Sequence, residues 1–289
     1  MMASDVMQMR FLAWSLIPLL VPAAGRAEPE RAASVEQEPP VTPPASLRLS
    51  PAWDSGVFAT SVAAIALSAA ISVDTSTRWD TQLLPIDDRL KGRYSSEAAN
   101  VSNILAAVDL VTPAALMVGR GFDREVGKRF VIYNETLLVG MALDSVVKSV
   151  VARPRPYVYS DDPERVAFVQ RQGRDSHYSF YSRHASMTFG ASVAGAYLFA
   201  QSPSDTNARA TVWGIELALA AATADLRTRA GMHFYSDVAV GAVVGSGIGL
   251  LVPYLHGGPR VHLSKLEWLA IALGPLIGVA VGELLPVGG

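Results

Sequence analysis

Lys148, Arg155, Ser182, His184, Arg227, His233 and Asp237 all fall at the ends of apolar segments. Their types point to one kind of chemistry. Lys148, Arg155 and Arg227 can neutralise developing negative charge, and an imidazole can act as nucleophile or as general acid and base. A carboxylate beside an imidazole fixes its tautomer. That mixture suits phosphoryl transfer, in which charge spread over several oxygens must be stabilised.

The spacing sharpens the reading. In "KSVVARPRP" Lys148 ends an apolar segment, and Arg155-Pro156 follow in a stretch stiffened by prolines. A lysine at that place also complements a helix dipole with no further role. In "YSRHAS", residues 181–186, Ser182 and His184 open an apolar segment. Unpaired N–H groups at such a start attract anions, although Ser182 is equally a plain N-cap. His233 follows Arg227 by six positions and Asp237 follows His233 by four. If a helix begins near His233, that step places the carboxylate beside the ring, as it would in an ordinary surface pair.

The elements that must hold these residues are helical. Six apolar segments of helical length cover 56–73, 99–119, 130–147, 185–202, 210–224 and 238–255. A shorter seventh, 268–281, contains Gly274-Pro275. Strand-type alternation is hard to find, so the fold class is all-α: a six-helix core with a short additional C-terminal helix. The first and fourth segments lack charges, which favours membrane insertion; Asp109, Glu135, Asp144 and Glu216 interrupt others. If successive helices alternate in direction, Lys148, His184, Arg227 and His233 meet at one pole. The connection 152–183, with Pro154, Pro156, Pro163 and Gly173, is the longest between segments and a place to seek function.

Composition bounds the rest. Half of the 289 residues are hydrophobic, 17% are charged and the formal net charge is −2, which gives no reason to expect a nucleic-acid partner. There is no cysteine, so disulfides and thiolate metal sites are excluded. Arg10 precedes the apolar run 11–24, and small residues follow at Gly25 and Ala27, so residues 1–27 read as a signal peptide or anchor. Residues 28–50 are acidic and Pro-rich and read as a disordered linker. The core is expected over 51–258 and an extension with one apolar helix over 259–289.

The three motifs together resemble the type 2 phosphatidic acid phosphatase and vanadium haloperoxidase superfamily. Its signature is K-x6-RP, then PSGH, then SR-x5-H-x3-D. Lys148 to Arg155-Pro156 supplies the first in full. Arg227, His233 and Asp237 supply the third at family spacing, with Leu226 in place of Ser. The second keeps Ser182 and His184 but has Tyr181 for Pro and Arg183 for Gly. The resemblance covers roughly residues 56–256.

It implies a metal-independent phosphatase acting on a phosphate monoester or diphosphate, carried by a lipid. His233 would be the nucleophile, oriented by Asp237 and forming a phosphohistidine. His184 would protonate the leaving alkoxide and then activate water. Lys148, Arg155, Arg227, Ser182 and the N–H of Arg183 would hold the phosphoryl oxygens. No cofactor is expected, with vanadate acting as a phosphate mimic. The expected partners are a phosphorylated lipid or small phosphoester and a membrane, with the site facing the periplasm.

Alternatives stay open at this level. A soluble periplasmic acid phosphatase carries the same motifs. Arg183 in the Gly slot leaves three outcomes: a strained positive φ, an ordinary backbone with a fourth cation, or a pocket that binds phosphate without turnover.

Overall fold

The computed structural model describes residues 47–80, 82–119, 121–260 and 262–287. Those residues fall within one compact unit. The signal or anchor reading of 1–27 and nearly all of the linker reading of 28–50 lie outside the described residues.

Every regular element among the described residues is helical. The α-helices are α1 (Pro51–Ala70), α2 (Ser96–Val118), α3 (Arg124–Val151), α4 (Pro163–Gln172), α5 (Arg183–Ala200), α6 (Thr206–Arg229), α7 (Tyr235–Leu255) and α8 (Lys265–Leu284). Local chemistry sets most starts. The side chains of Ser95, Asp123, Asp162, Ser182, Asp205 and Ser264 each accept a backbone N–H of the first turn.

The seven segments read from the sequence all form helices, and α4 adds a short one inside the long connection. α8 is not short. Ser264 and Glu267 form a reciprocal capping box, and the helix runs 20 residues from there. Nor is it an appendage, because it lies parallel to α6 and is tied to it at both ends. Arg209 meets the buried Glu267 at 3.1 Å near the two N-termini. Arg229 donates to the carbonyl oxygens of Gly282, Leu285 and Val287 at the other end.

Small residues permit the closest helix contacts. A methyl group on Gly278 would collide with the carbonyl of Ala218 on α6, and one on Gly245 of α7 with the carbonyl of Ser186 on α5. Gly241, Gly245 and Gly249 repeat every four residues and keep α7 parallel and tight against α5.

Two of the charge-free segments, the first and the fourth, have opposite fates. α5 is buried on nearly every side, so its lack of charge reflects a central position. In α1 only Ser61 and Ser68 are buried, and Phe58, Val62 and Leu67 are exposed. Five helical segments, covering α1, α2, α3 with its following turn, α7 and α8, are long and apolar enough to cross a membrane. Their outward residues, such as Ile104, Val243, Leu250 and Leu276, form an apolar surface compatible with lipid.

α2, α5 and α7 begin at one pole, where α1, α3, α6 and α8 end. Ser149 on the last turn of α3 donates to Ser68 O near the end of α1, fixing that polarity.

Candidate active site

A cavity of about 440 Å³ opens at this pole, lined by Lys148, Arg155, Arg183, His184, Arg227 and His233. Six of the eight site residues picked from the sequence therefore share one pocket. Ser182 and Asp237 are fully buried behind it.

Each cation is held by its own neighbours. Lys148, on the last turn of α3, donates to Tyr178 O at 2.6 Å and lies 3.7 Å from the buried Asp144 carboxylate. Arg155 is presented by the prolines after α3 and grips the Asp175 backbone oxygen at 2.7 Å and carboxylate at 3.0 Å. Arg183 rests on Asp144 at 2.5 Å and on the Ser145 hydroxyl at 3.1 Å. Arg227 ends α6 and donates to Ser102 Oγ and Asn103 Oδ1, both neutral. Four cations thus meet two carboxylates, Asp144 and Asp175, which leaves two positive charges over, enough to balance a phosphate dianion.

Arg183 is the first residue of α5, and Ala152 is the one non-glycine residue at positive φ among the described residues. Its backbone is therefore ordinary, and the strain considered for a missing glycine does not arise. Ser182 Oγ accepts the N–H of Ala185 at 3.3 Å, so its hydroxyl is an N-cap. Leu226, where the family has Ser, packs into a buried cluster with Ala98, Ala99 and Ala230 and belongs to the α2–α6 contact.

The two imidazoles differ in setting. His233 Nδ1 donates to the carbonyl oxygen of Ser179 at 2.7 Å, leaving Nε2 as its available nitrogen. Asp237 is 3.9 Å from that Nδ1 and does not accept its proton. Instead Asp237 accepts from Ser179 Oγ at 2.6 Å, from the N–H of Phe234 at 2.8 Å and from Arg153 at 2.5 Å. The i,i+4 step brings the carboxylate close, as expected, but its work is to hold the segment that holds the ring.

His184 Nε2 shares Asn103 Oδ1 with Arg227, at 2.9 Å. Because the Arg227 guanidinium can only donate, that amide oxygen accepts from both, and Nε2 carries the proton. Burial, then Arg227, Arg155, Lys148 and Arg183, push the His184 imidazole down to about 3. Burial and the same cluster of cations, Lys148 first, hold His233 well below the usual histidine range. Both rings are neutral in the free pocket.

Residues 129–259 match the family model described as the PAP2 superfamily. That match agrees with the superfamily that the three motifs resemble. The matched stretch contains all eight site residues and runs from α3 to just past the end of α7, while Ser102, Asn103 and α8 lie outside it. Phosphatase-type activity, a hydrolase chemistry, goes with PAP2 membership. No curated protein and no solved structure matched the chain.

Sequence reasoning had passed over Asn103, Asp144, Asp175, Arg153 and the Ser179 carbonyl. Arg153 is fully buried and joins Asp237, Asp87 at 3.0 Å, Gln82 at 2.8 Å and Ser236 at 2.8 Å, beneath the Phe234 ring at 4.1 Å. It fastens the loop before α2 and the end of α3 to the start of α7.

Proposed function

We propose that this protein hydrolyses a phosphate monoester or diphosphate of a lipid through a phosphohistidine on His233. The observation that carries this reading is the convergence of four cations and two neutral imidazoles in one pocket, with His233 Nδ1 already committed to Ser179 O.

The phosphoryl group sits among Lys148, Arg155, Arg183 and Arg227, with the N–H of Arg183 at the start of α5 aimed at an oxygen. His233 Nε2 attacks phosphorus as the bond to the leaving oxygen breaks, an alkoxide for a monoester and a lipid monophosphate for a diphosphate. His184 gives that oxygen a proton and becomes neutral. It then takes a proton from water, whose oxygen attacks phosphorus and breaks the P–N bond, releasing inorganic phosphate. His184 is protonated for the first step because the bound dianion offsets the cations that otherwise keep the ring neutral. The fixed cations supply the charge stabilisation, so the reaction runs without a metal, and vanadate competes as a phosphate mimic.

The lipid assignment rests on the apolar flanks of the bundle and on Tyr94 and Phe168 at the pocket rim. The site faces the periplasm in this reading. α1 starts at the opposite pole, so if α1, α2 and α3 all cross, residue 51 lies in the cytoplasm, and 11–24 is then not a cleaved signal. Because the chain has no cysteine, single replacements report sidedness cleanly. Glu164→Cys is labelled by an impermeant maleimide in spheroplasts, and Phe122→Cys only after lysis.

The deciding assay measures phosphate release from phosphatidate, an isoprenyl diphosphate and a soluble aryl phosphate, for wild type and His233→Ala. Turnover of a lipid substrate that His233→Ala abolishes supports the proposal. Preference for the aryl phosphate points to a broad soluble-ester phosphatase, and equal release by both proteins removes the catalytic assignment. Phosphate binding without any turnover leaves a binding protein.

A further inference from the structure

At the pole opposite the active site, three helices bring together a histidine and two carboxylates. His256 follows the last residue of α7, Asp54 lies in the first turn of α1, and Glu135 projects from α3. His256 and Glu135 are buried, and Asp54 is half-buried. His256 Nε2 lies 3.2 Å from Asp54 Oδ1 and 3.2 Å from Glu135 Oε2. The three ligand atoms all fall within 4.8 Å of one another.

The ring is oriented as in a metal site. His256 Nδ1 donates to the carbonyl of Val252 at 2.8 Å, one helical turn back, so Nε2 is turned to the carboxylates. A proton on Nε2 could serve Asp54, which has hydrogen-bond geometry towards it. It does not serve Glu135, whose buried Oε2 has no hydrogen-bond partner. A nine-tenths buried carboxylate oxygen that faces His256 at ion-pair distance but outside hydrogen-bond geometry is poorly satisfied, and one shared cation satisfies all three groups at once.

We infer that Asp54, Glu135 and His256 form a binding site for a divalent cation of the zinc type. One imidazole nitrogen and two carboxylate oxygens suit zinc, and tetrahedral bonds of ~2.0–2.1 Å put ligand atoms roughly 3.3 Å apart. The 3.2 Å spacings need little movement to meet that. Asp54 and Glu135 also line a cavity of about 590 Å³, which offers an entry path and room for a fourth ligand. The ion would fasten the start of α1 to α3 and α7, where Arg48 N–H already donates to His256 O at 2.9 Å.

The test uses the full chain in detergent, purified without a histidine tag. Metal content is measured after dialysis, and Tm is followed with EDTA, ZnCl2, MnCl2 and MgCl2. About one zinc per chain is expected, with Tm falling in EDTA and restored by ZnCl2 but not by MgCl2. Asp54→Asn and Glu135→Gln should each weaken zinc at least ~10-fold, the loss that even outer-shell changes produce. Their phosphate release should match wild type, which separates this site from the phosphatase reading. X-ray absorption of the wild-type zinc complex gives a second readout that needs no variant. Its expected signature is one imidazole with oxygen ligands. The inference is overturned if wild type neither holds zinc nor responds to it, if both variants bind it as tightly, or if the ion sees two or more imidazoles.

Discussion

The Nδ1–H of His233 is donated to the carbonyl oxygen of Ser179, 54 residues earlier in the chain and 2.7 Å away in space. A backbone oxygen, rather than the Asp237 carboxylate, sets the tautomer of His233.

Asp237 and the Ser179 hydroxyl should therefore separate on mutation. Ser179→Ala keeps the carbonyl and loses one bond to Asp237, so a cost of about 1 kcal/mol in stability and a small loss of kcat are expected. Asp237→Asn strips the buried Arg153 of one of its two carboxylates, and breaking such a pair costs about 3–5 kcal/mol. Thermal unfolding of the two variants should rank them in that order. Equal Tm values would show that Asp237 does not hold Arg153 in place.

Arg183 can be exchanged for the family's glycine without relieving any strain. Arg183→Gly should instead remove a guanidinium from the pocket and leave Asp144 to Lys148 alone. Affinity for inorganic phosphate is expected to fall about tenfold, within the range of one charge-assisted contact. Isothermal titration would show it. Unchanged or tighter binding would take Arg183 out of the anion site.

The two depressed histidines make stability depend on pH with a defined sign. Their folded values lie below the unfolded 6.5, so the unfolded chain binds more protons as pH falls. Stability is complete above 6.5 and declines below it, by up to ~1 kcal/mol per pH unit for the fully buried His233. Phosphate should oppose the decline by raising His184, and its binding should take up a proton at a pH where free phosphate is already mostly the dianion. Calorimetry in buffers of different ionisation enthalpy reads that uptake directly, and His184→Asn should abolish it.

The α6–α8 contact predicts a cost far from the chemistry. Gly278→Val drives two methyl groups towards the Ala218 carbonyl, for an expected loss of about 1–3 kcal/mol. A Tm equal to that of wild type would mean that α8 contributes little to the bundle.

The helical character of the chain and the pole that carries the site could be read from apolar length and from motif spacing, because both depend on runs of side chains close in sequence. Lys148, Arg155, His184, Arg227 and His233 were legible since each ends or opens a segment. What stayed hidden is made by distance and by backbone. Asn103 looks like one polar residue in an apolar helix until Arg227 and His184 meet it. Asp144 looks like an interruption of a span rather than a seat for two cations. The Ser179 carbonyl has no side-chain signature at all, and Arg153 reads as one more loop cation. The C-terminal helix was underestimated because Gly274-Pro275 suggests a break, whereas the capping box at Ser264 starts the helix early enough to carry it through.

The glycine ladder between α5 and α7 acts as a ruler. His184 and His233 stand at the heads of two rods whose register is locked by backbone contact at Gly241, Gly245 and Gly249, so their separation owes nothing to the connection 157–172. A slip of one turn would shift the heads by about 5.4 Å, too far for two rings to share one phosphorus. Replacements within that connection should therefore leave the spacing of the two rings unchanged.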